Sequence, residues 1–484
     1  MKTAFGTNAL QALLLAGLAS GCNRSEVLPA PGHHVVTLDT DAIVPAAPGA
    51  TVDPNAPIPL FDRLELAVLR EGETEPTAEE RRDFAVDEST FLPDGASFTI
   101  EAEPGEVVRV RARLFRDASS FAGEPRPEST IEVIAELPPT PTEGALETTI
   151  ELRTEQVGIP LGTVERPVEI GQEGSPALAG DSSKLQVGSW RKDAHNRPCT
   201  LEPGPGETCV HGGAYWMGNP LVKGDDFVES DRQRLVVLSP YFLDTGEVKV
   251  GQLREFLKRR PELDTVPRKS EELISEEYFC TYTDEPDTKS EERPANCVDW
   301  ELADAYCRDR GALLPSEAQF EYASSELRSA LFVWGADEAP LCEAAVWGRS
   351  GLENSAIEQV GASNCESFGT GPQTLSADPE LRNLTRLTDR IKIGGNEIFD
   401  LAGNLQEWVL DRYNTQDEPC WKSITTNIFS DPVCTLEGKV GERSVRGGSW
   451  IQNREFLRAA YRASRGPDQG GTYVVGFRCA RPGE

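Results

Sequence analysis

The chain has 484 residues, 38% of them hydrophobic and eight of them Trp, which suffices for two or three domains with real cores. Lys and Arg number 48 against 80 Asp and Glu, a formal charge of −32. That balance argues against nucleic acid as a partner, because phosphates demand cationic surface, and it disfavours attachment to anionic lipid by charge.

The N-terminus reads "MKTAFGTNALQALLLAGLASGC". Lys2 is the only charge before an apolar stretch from Ala9 to Ala19. That stretch is too short to span a bilayer, so residues 1–21 read as a signal peptide. Small residues Ala19, Ser20 and Gly21 stand directly before Cys22. The pattern resembles a bacterial lipoprotein signal, although Ala19 occupies a position where Leu is more usual. The resemblance implies cleavage before Cys22, lipidation of its thiol and new amine, and a location on the bacterial cell envelope. Several acyl chains together anchor a protein stably, which one chain does not.

Of eleven cysteines, ten remain once Cys22 is set aside, an even number suited to an oxidising compartment. The four histidines are His33, His34, His195 and His211. Residues 22–60, which hold the first two, carry many Pro and Ala and little periodicity, and they read as an extended tether. A three-His metal site in the folded body would have to borrow from that tether.

Over residues 61–157 the segments "RLELAVLR", "SFTIEA", "VVRVRARLF", "TIEVIAEL" and "TTIELR" alternate apolar with polar residues. Turn signals such as "LPDG" and "EPGE" separate them, which predicts a small all-β sandwich. It is a sugar- or protein-binding unit or a spacer, and nothing in it marks a site. Residues 158–184 lack a clear pattern and read as a linker, leaving 185–484 as the C-terminal domain.

Three helices are legible there. "VGQLREFLKRR" repeats Val250, Leu253 and Leu257 at helical spacing. "DWELADAYCRDRG" starts on Asp299 as N-cap and stops at Gly311. A short helix follows Pro315, with Ser316 and Gln319 as a capping box. The remainder is rich in Gly, Trp and turn residues.

"GGAYWMGNP", "SPYFLDTGEVKVGQLREFL", "PANCVDWELADAYCRDRGALLPSEAQFEYAS", "FVWG", "FDLAGNLQEWVLDRY", "RGGSW" and "GFRCARP" follow one another in this order. The series resembles the sulfatase-modifying factor family, the fold of the formylglycine-generating enzyme, over about residues 205–481. That resemblance implies an irregular α+β domain related to C-type lectins. It also implies an oxidase that converts a sulfatase Cys to an aldehyde through copper held by two Cys thiolates, soft ligands suited to Cu(I). Those thiolates lie a few residues after the Gly-Gly-Ser turn, here Gly447, Gly448 and Ser449, yet no Cys occurs from Thr435 to Arg478. Copper is therefore not expected. Gln406 also replaces the first Trp of the family's "GNxWEW".

The turn is followed by Trp450, Gln452, Asn453 and the arginines Arg454, Arg458, Arg462 and Arg465. The arginines are either structural, holding carboxylates and carbonyls, or part of a cleft for carboxylate, sulfate or phosphate. On the second reading the cleft residues are Ser449, Trp450, Gln452, Asn453, Arg458 and Arg462.

The resemblance further implies calcium on the side chains of Asp400 and Glu407 and the carbonyls of Gly403 and Leu405, hard oxygen ligands on a turn. A second family calcium site uses an Asn where this chain has Ala345, and is expected to be lost or weakened. The family pairs Cys307 with Cys479. The other eight cysteines fall into neighbouring couples, Cys199 with Cys209, Cys280 with Cys297, Cys342 with Cys365, and Cys420 with Cys434, because short loops cost less to close. The function expected is a membrane-tethered, non-catalytic binding or structural module facing an envelope protein or a glycan. The alternative is a formylglycine-generating oxidase.

Overall fold

The structure, a computed structural model, describes residues 32–51, 56–121, 123–170, 185–219, 232–263, 267, 279–286, 288–335, 342–349, 365–369, 371–372, 389–393, 395–422, 426–438, 441–467 and 473–484. The signal peptide and Cys22 lie outside the described residues. The chain divides into two units, residues 1–192 with 424–427, and residues 193–423 with 428–484.

The first unit is a β structure. Its strands are β1 (His33–Thr40), β2 (Arg63–Leu69), β3 (Arg81–Ala85), β4 (Ala96–Glu101), β5 (Arg109–Phe115), β6 (Ser120–Phe121), β7 (Glu124–Pro125), β8 (Thr130–Glu136), β9 (Ala145–Leu152) and β10 (Val168–Glu169). They form a three-stranded sheet in the order β4-β1-β9, a five-stranded sheet in the order β10-β8-β5-β2-β3, and the β6-β7 pair. Period-two alternation explains the five-stranded sheet. Val110, Ala112 and Leu114 of β5 and Ile131, Val133 and Ala135 of β8 are buried. Between them Arg109 meets Glu136 at 3.0 Å, and Arg113 pairs with Glu132, as cross-strand partners.

The tether and linker expectations need correction. His33–Thr40, placed in the tether, is the central strand of the three-stranded sheet, antiparallel to β4 and parallel to β9. Val36 and Leu38 are fully buried there, as are the nearby Ala42 and Ile43. His34 is buried as well, its Nε2 lying 3.0 Å from Thr140 Oγ1. The pairing partner β9 is over a hundred residues away, so local composition carried no trace of it. The start of the linker is likewise structured. Leu161 N donates to Glu132 O, and Val168–Glu169 joins the five-stranded sheet beside β8.

The second unit has short strands and few helices. The strands are β11 (Glu207–Val210), β12 (Gly213–Met217), β13 (Arg234–Leu238), β14 (Tyr241–Asp244), β15 (Arg390–Ile393), β16 (Asn396–Phe399), β17 (Gln406–Arg412), β18 (Ile428–Ser430), β19 (Arg443–Arg446), β20 (Ala463–Arg465), β21 (Val475–Gly476) and β22 (Ala480–Pro482). They make small sheets, β11-β14-β22, β12-β13-β18, β15-β16 and β20-β19-β17-β21.

The three expected helices occupy Val250–Arg259, Trp300–Asp309 and Glu317–Ser324. Asp299 accepts from Leu302 N at 2.8 Å. Ser316 and Gln319 bond reciprocally, at 3.1 and 2.9 Å. Gly311 ends its helix at φ +71°. Five disulfides hold the loops: Cys199–Cys209, Cys280–Cys297, Cys307–Cys479, Cys342–Cys365 and Cys420–Cys434. The Cys307–Cys479 bridge spans 172 positions and ties the Trp300–Asp309 helix to the chain end.

Candidate functional site

The Gly-Gly-Ser turn leaves β19 on two left-handed residues, Gly447 at φ +94° and Gly448 at +71°. A Cβ on Gly448 would stand 2.6 Å from Phe456 O, so glycine is required for space as well as conformation. The turn drives the next residues inward. Ser449 is fully buried, its Oγ donating to Gln452 Oε1 at 3.2 Å. Trp450 is also fully buried, against Phe279 and Tyr473 with ring centroids 4.9 and 5.9 Å away. The Gln452 side chain is buried, and the backbone carbonyl of Gln452 accepts from Gly348 N. Asn453 caps a short 3-10 helix, Arg454–Leu457, by accepting from Glu455 N at 3.0 Å.

The arginines separate. Arg462 is buried and donates through Nε and Nη2 to the two oxygens of Glu317, at 2.7 and 3.1 Å. Arg465 Nη2 reaches Gln406 Oε1 at 3.1 Å, while Arg454 pairs with Glu455 at 3.4 Å in solvent. Arg458 is half-buried, and burial lowers its pKa. The proposed cleft is therefore corrected. Ser449, Trp450, Gln452 and Arg462 lie in the interior, Asn453 serves as a cap, and Arg458 alone of the arginines named for it stays partly in reach of solvent. The reason is that the chain supplies its own carboxylates to the guanidiniums.

Those carboxylates come from the Glu317–Ser324 helix, where Glu317 and Glu321 are one helical turn apart on a buried face. Glu321 accepts from Gly218 N at 2.6 Å and pairs with the fully buried Arg446, which also donates to Ala459 O. Asp411 of β17 accepts from Glu317 N at 2.8 Å and Cys434 N at 2.7 Å. Burial, then the charge of Glu317, pushes Asp411 up to about 7. Trp421 lies under two guanidiniums, Arg234 at 4.8 Å and Arg462 at 5.5 Å from the ring centre. Burial and the charge of Arg462 bring Arg234 down to about 10. Arg462 is ion-paired with Glu317 and Arg446 with Glu321, while Asp411 is held by two backbone N–H groups, and such partners offset the cost of burying charge. The i,i+4 acids after Pro315 were the one local signal for this network.

The second region runs from Asp400, directly after β16, through the turn to Glu407 near the start of β17. It requires positive φ at Asp400 (+55°), Gly403 (+95°) and Asn404 (+59°), and a Cβ on Gly403 would lie 2.5 Å from Val346 O. Gly403 N donates to Gly447 O, which joins this turn to the Gly-Gly-Ser turn. Glu407 is fully buried and accepts from Arg478 through both oxygens, at 2.6 and 2.7 Å. Arg478 also donates to Phe399 O at 2.8 Å and Asp400 O at 3.1 Å. Glu247 is buried beside them, its pKa raised by burial and by the charges of Asp400 and Glu407.

By type, Asp400, Glu407, Gly403 and Leu405 fit a hard cation, two carboxylates and two carbonyls within eight residues. A carboxylate offers about four acceptor positions, so the bonds from Arg478 leave part of Glu407 available. Among the described residues no three of His, Cys, Asp and Glu gather as a metal-holding group, so an ion here would depend on the carbonyls. Ala345 is fully buried and offers no side-chain oxygen to the second site.

Comparison with known proteins places this unit. A family model, "Sulfatase-modifying factor enzyme 1-like domain", matches residues 192–482. The formylglycine-generating enzyme of Bos taurus is 24% identical over 355 residues, covering 66% of this chain and 84% of that protein. The formylglycine-generating enzyme of Streptomyces coelicolor is 28% identical over 192 residues, 39% of this chain and 52% of that protein. "Inactive C-alpha-formylglycine-generating enzyme 2" of Bos taurus is 24% identical over 318 residues, 58% and 90% of the two chains. The family model spans more than half of the chain, from the loop before β11 to the end of β22, and the chain belongs to the sulfatase-modifying factor family.

Proposed function

We propose that this protein is a lipid-anchored component of the bacterial cell envelope whose sulfatase-modifying-factor domain is a non-catalytic binding or structural module. The observation that carries this reading is the cysteine inventory. No Cys stands between Thr435 and Arg478, and the ten cysteines after Cys22 pair into five disulfides. A thiolate must be free to ligate copper, and a disulfide sulfur is not. Gln452 and Asn453, which follow the turn instead, are neutral amides without redox chemistry. Relatives named as enzymes and relatives named as inactive are both similar to this chain, so family membership admits either activity or its loss.

The first unit, read as a small all-β sandwich, then acts as a spacer between the anchor at Cys22 and the C-terminal domain. The domain's partner is an envelope protein or a glycan. Copper titration and an aldehyde assay on a Cys-containing sulfatase peptide test the reading. Aldehyde formed by the pure protein in proportion to copper would overturn it in favour of the oxidase. Fractionation of Cys22→Ala tests the anchor: the variant leaves the membrane or stays unprocessed, and a distribution like wild type removes the lipoprotein reading.

Calcium at Asp400, Glu407, Gly403 and Leu405 is part of the same proposal, supported by the donor types. An ion that binds only the native state raises its stability. Chelation therefore lowers the melting temperature of the C-terminal domain, and Asp400→Gly, which suits φ +55°, removes the difference. Identical melts of calcium-stripped protein with and without added calcium would dismiss the site.

A further inference from the structure

Glu247 lies just past β14 and belongs to no ligand set that the family resemblance implies. Its side chain is 2% exposed, yet both oxygens are engaged. Oε1 accepts from Leu405 N at 2.9 Å, and Oε2 accepts from Asn404 Nδ2 at 2.7 Å. These partners are 158 and 157 positions away, and both sit inside the Asp400–Glu407 turn. The backbone around Glu247 is itself fixed, with Val248 N donating to Phe477 O and Ala295 N to Val248 O.

The geometry has a consequence for the two carbonyls assigned to the ion. Gly403 O and Leu405 O flank one peptide unit, Asn404–Leu405, and the N–H of that unit is the one Glu247 holds. Its neighbours are held too, Asn404 N by Val346 O and Gln406 N by Val474 O. Arg478 grips the opposite side of the turn through Glu407 and the carbonyls of Phe399 and Asp400. One buried carboxylate thus holds two donors of the turn, Leu405 N and Asn404 Nδ2, and one buried guanidinium holds Glu407 and two carbonyls at its start. A group that orients ligands in this way is as necessary to a metal site as the ligands.

We propose that Glu247 is the positioning residue of the cation turn: it fixes the Asn404–Leu405 peptide and so sets the two carbonyls for calcium without ligating the ion. This rests on the calcium reading above. The test is calcium chloride titrated into the chelator-stripped full chain, with thermal melting followed by Trp fluorescence at each concentration. Glu247→Gln keeps an acceptor for Leu405 N but presents an amide to the Asn404 amide. Its calcium midpoint is expected to weaken by about 10–100-fold, the usual loss for a group behind the ligands. Glu247→Ala, if it folds, loses the calcium response altogether. A merely structural Glu247 would lower the melting temperature equally with calcium and with chelator and leave the midpoint unmoved, which would overturn the proposal. A wild type without any calcium response would overturn the calcium reading and this proposal with it. A wild type that responds, matched by Glu247→Gln within about twofold, a change well below that expected range, would overturn this proposal alone.

Discussion

Arg462→Met separates a structural arginine from a ligand-binding one. Arg462 is 6% exposed, and Glu317, its partner, is fully buried. Two hydrogen bonds of 2.7 and 3.1 Å join them, and the guanidinium also lies 5.1 Å from the ring centre of Tyr413 and 5.5 Å from that of Trp421. Met replaces much of the aliphatic stem and none of the charge. Glu317 then keeps a buried charge without its ion-pair partner, opposed by Arg446 and Arg234, since burial works against its ionised form while Arg462 and then Arg446 hold its pKa down. Breaking a buried pair by removing one partner costs about 3–5 kcal/mol. For a domain of this size that is a fall in melting temperature of roughly 6–20 °C. All of the eight Trp except Trp190 lie in the second unit, so fluorescence in urea reports on the affected domain. The double variant Arg462→Met, Glu317→Gln is expected to recover most of the loss, because no unpaired charge remains. A loss below about 1 kcal/mol, the size of an exposed ion pair, would refute the reasoning and return Arg462 to a surface cleft.

Asp411 supplies a pH dependence. Its pKa is about 7 in the folded chain, from burial and the facing Glu317, against an ordinary 3.8. A carboxyl raised in this way contributes stability that is fully present below the unfolded value and is lost as pH rises through about 7. The urea midpoint should therefore rise between pH 8 and pH 5.5, and Asp411→Asn should flatten that slope; a midpoint that falls over this range contradicts the assignment. Gly448→Ala meets Phe456 O at 2.6 Å and should cost more than Gly206→Ala, whose φ of +78° is similar but whose Cβ finds open space. Equal losses in urea would show that the turn can move aside. The variant Cys307→Ser, Cys479→Ser should lose about 2–4 kcal/mol. Non-reducing peptide mapping should recover the five native pairs, and a free thiol among the ten cysteines would weaken the non-catalytic reading.

The elements that the sequence alone determined are those whose causes are local. Asp299, Ser316 with Gln319, and Gly311 set helix ends because a cap satisfies backbone groups within four residues of itself. Four disulfides join cysteines 10 to 23 positions apart, where loop closure is cheap, and the ordered motifs identified the family. The tertiary structure decided the rest. His33–Thr40 is a strand because β9 and β4, far along the chain, accept its hydrogen bonds. Arg462 is interior because Glu317 sits 145 positions before it, and no spacing in "REFLRAAYRASR" reveals that. Glu247 and Arg478 reach the Asp400–Glu407 turn from opposite ends of the domain sequence. Charges acquire their roles from the partners that burial forces on them, and those partners are neighbours in space, not along the chain.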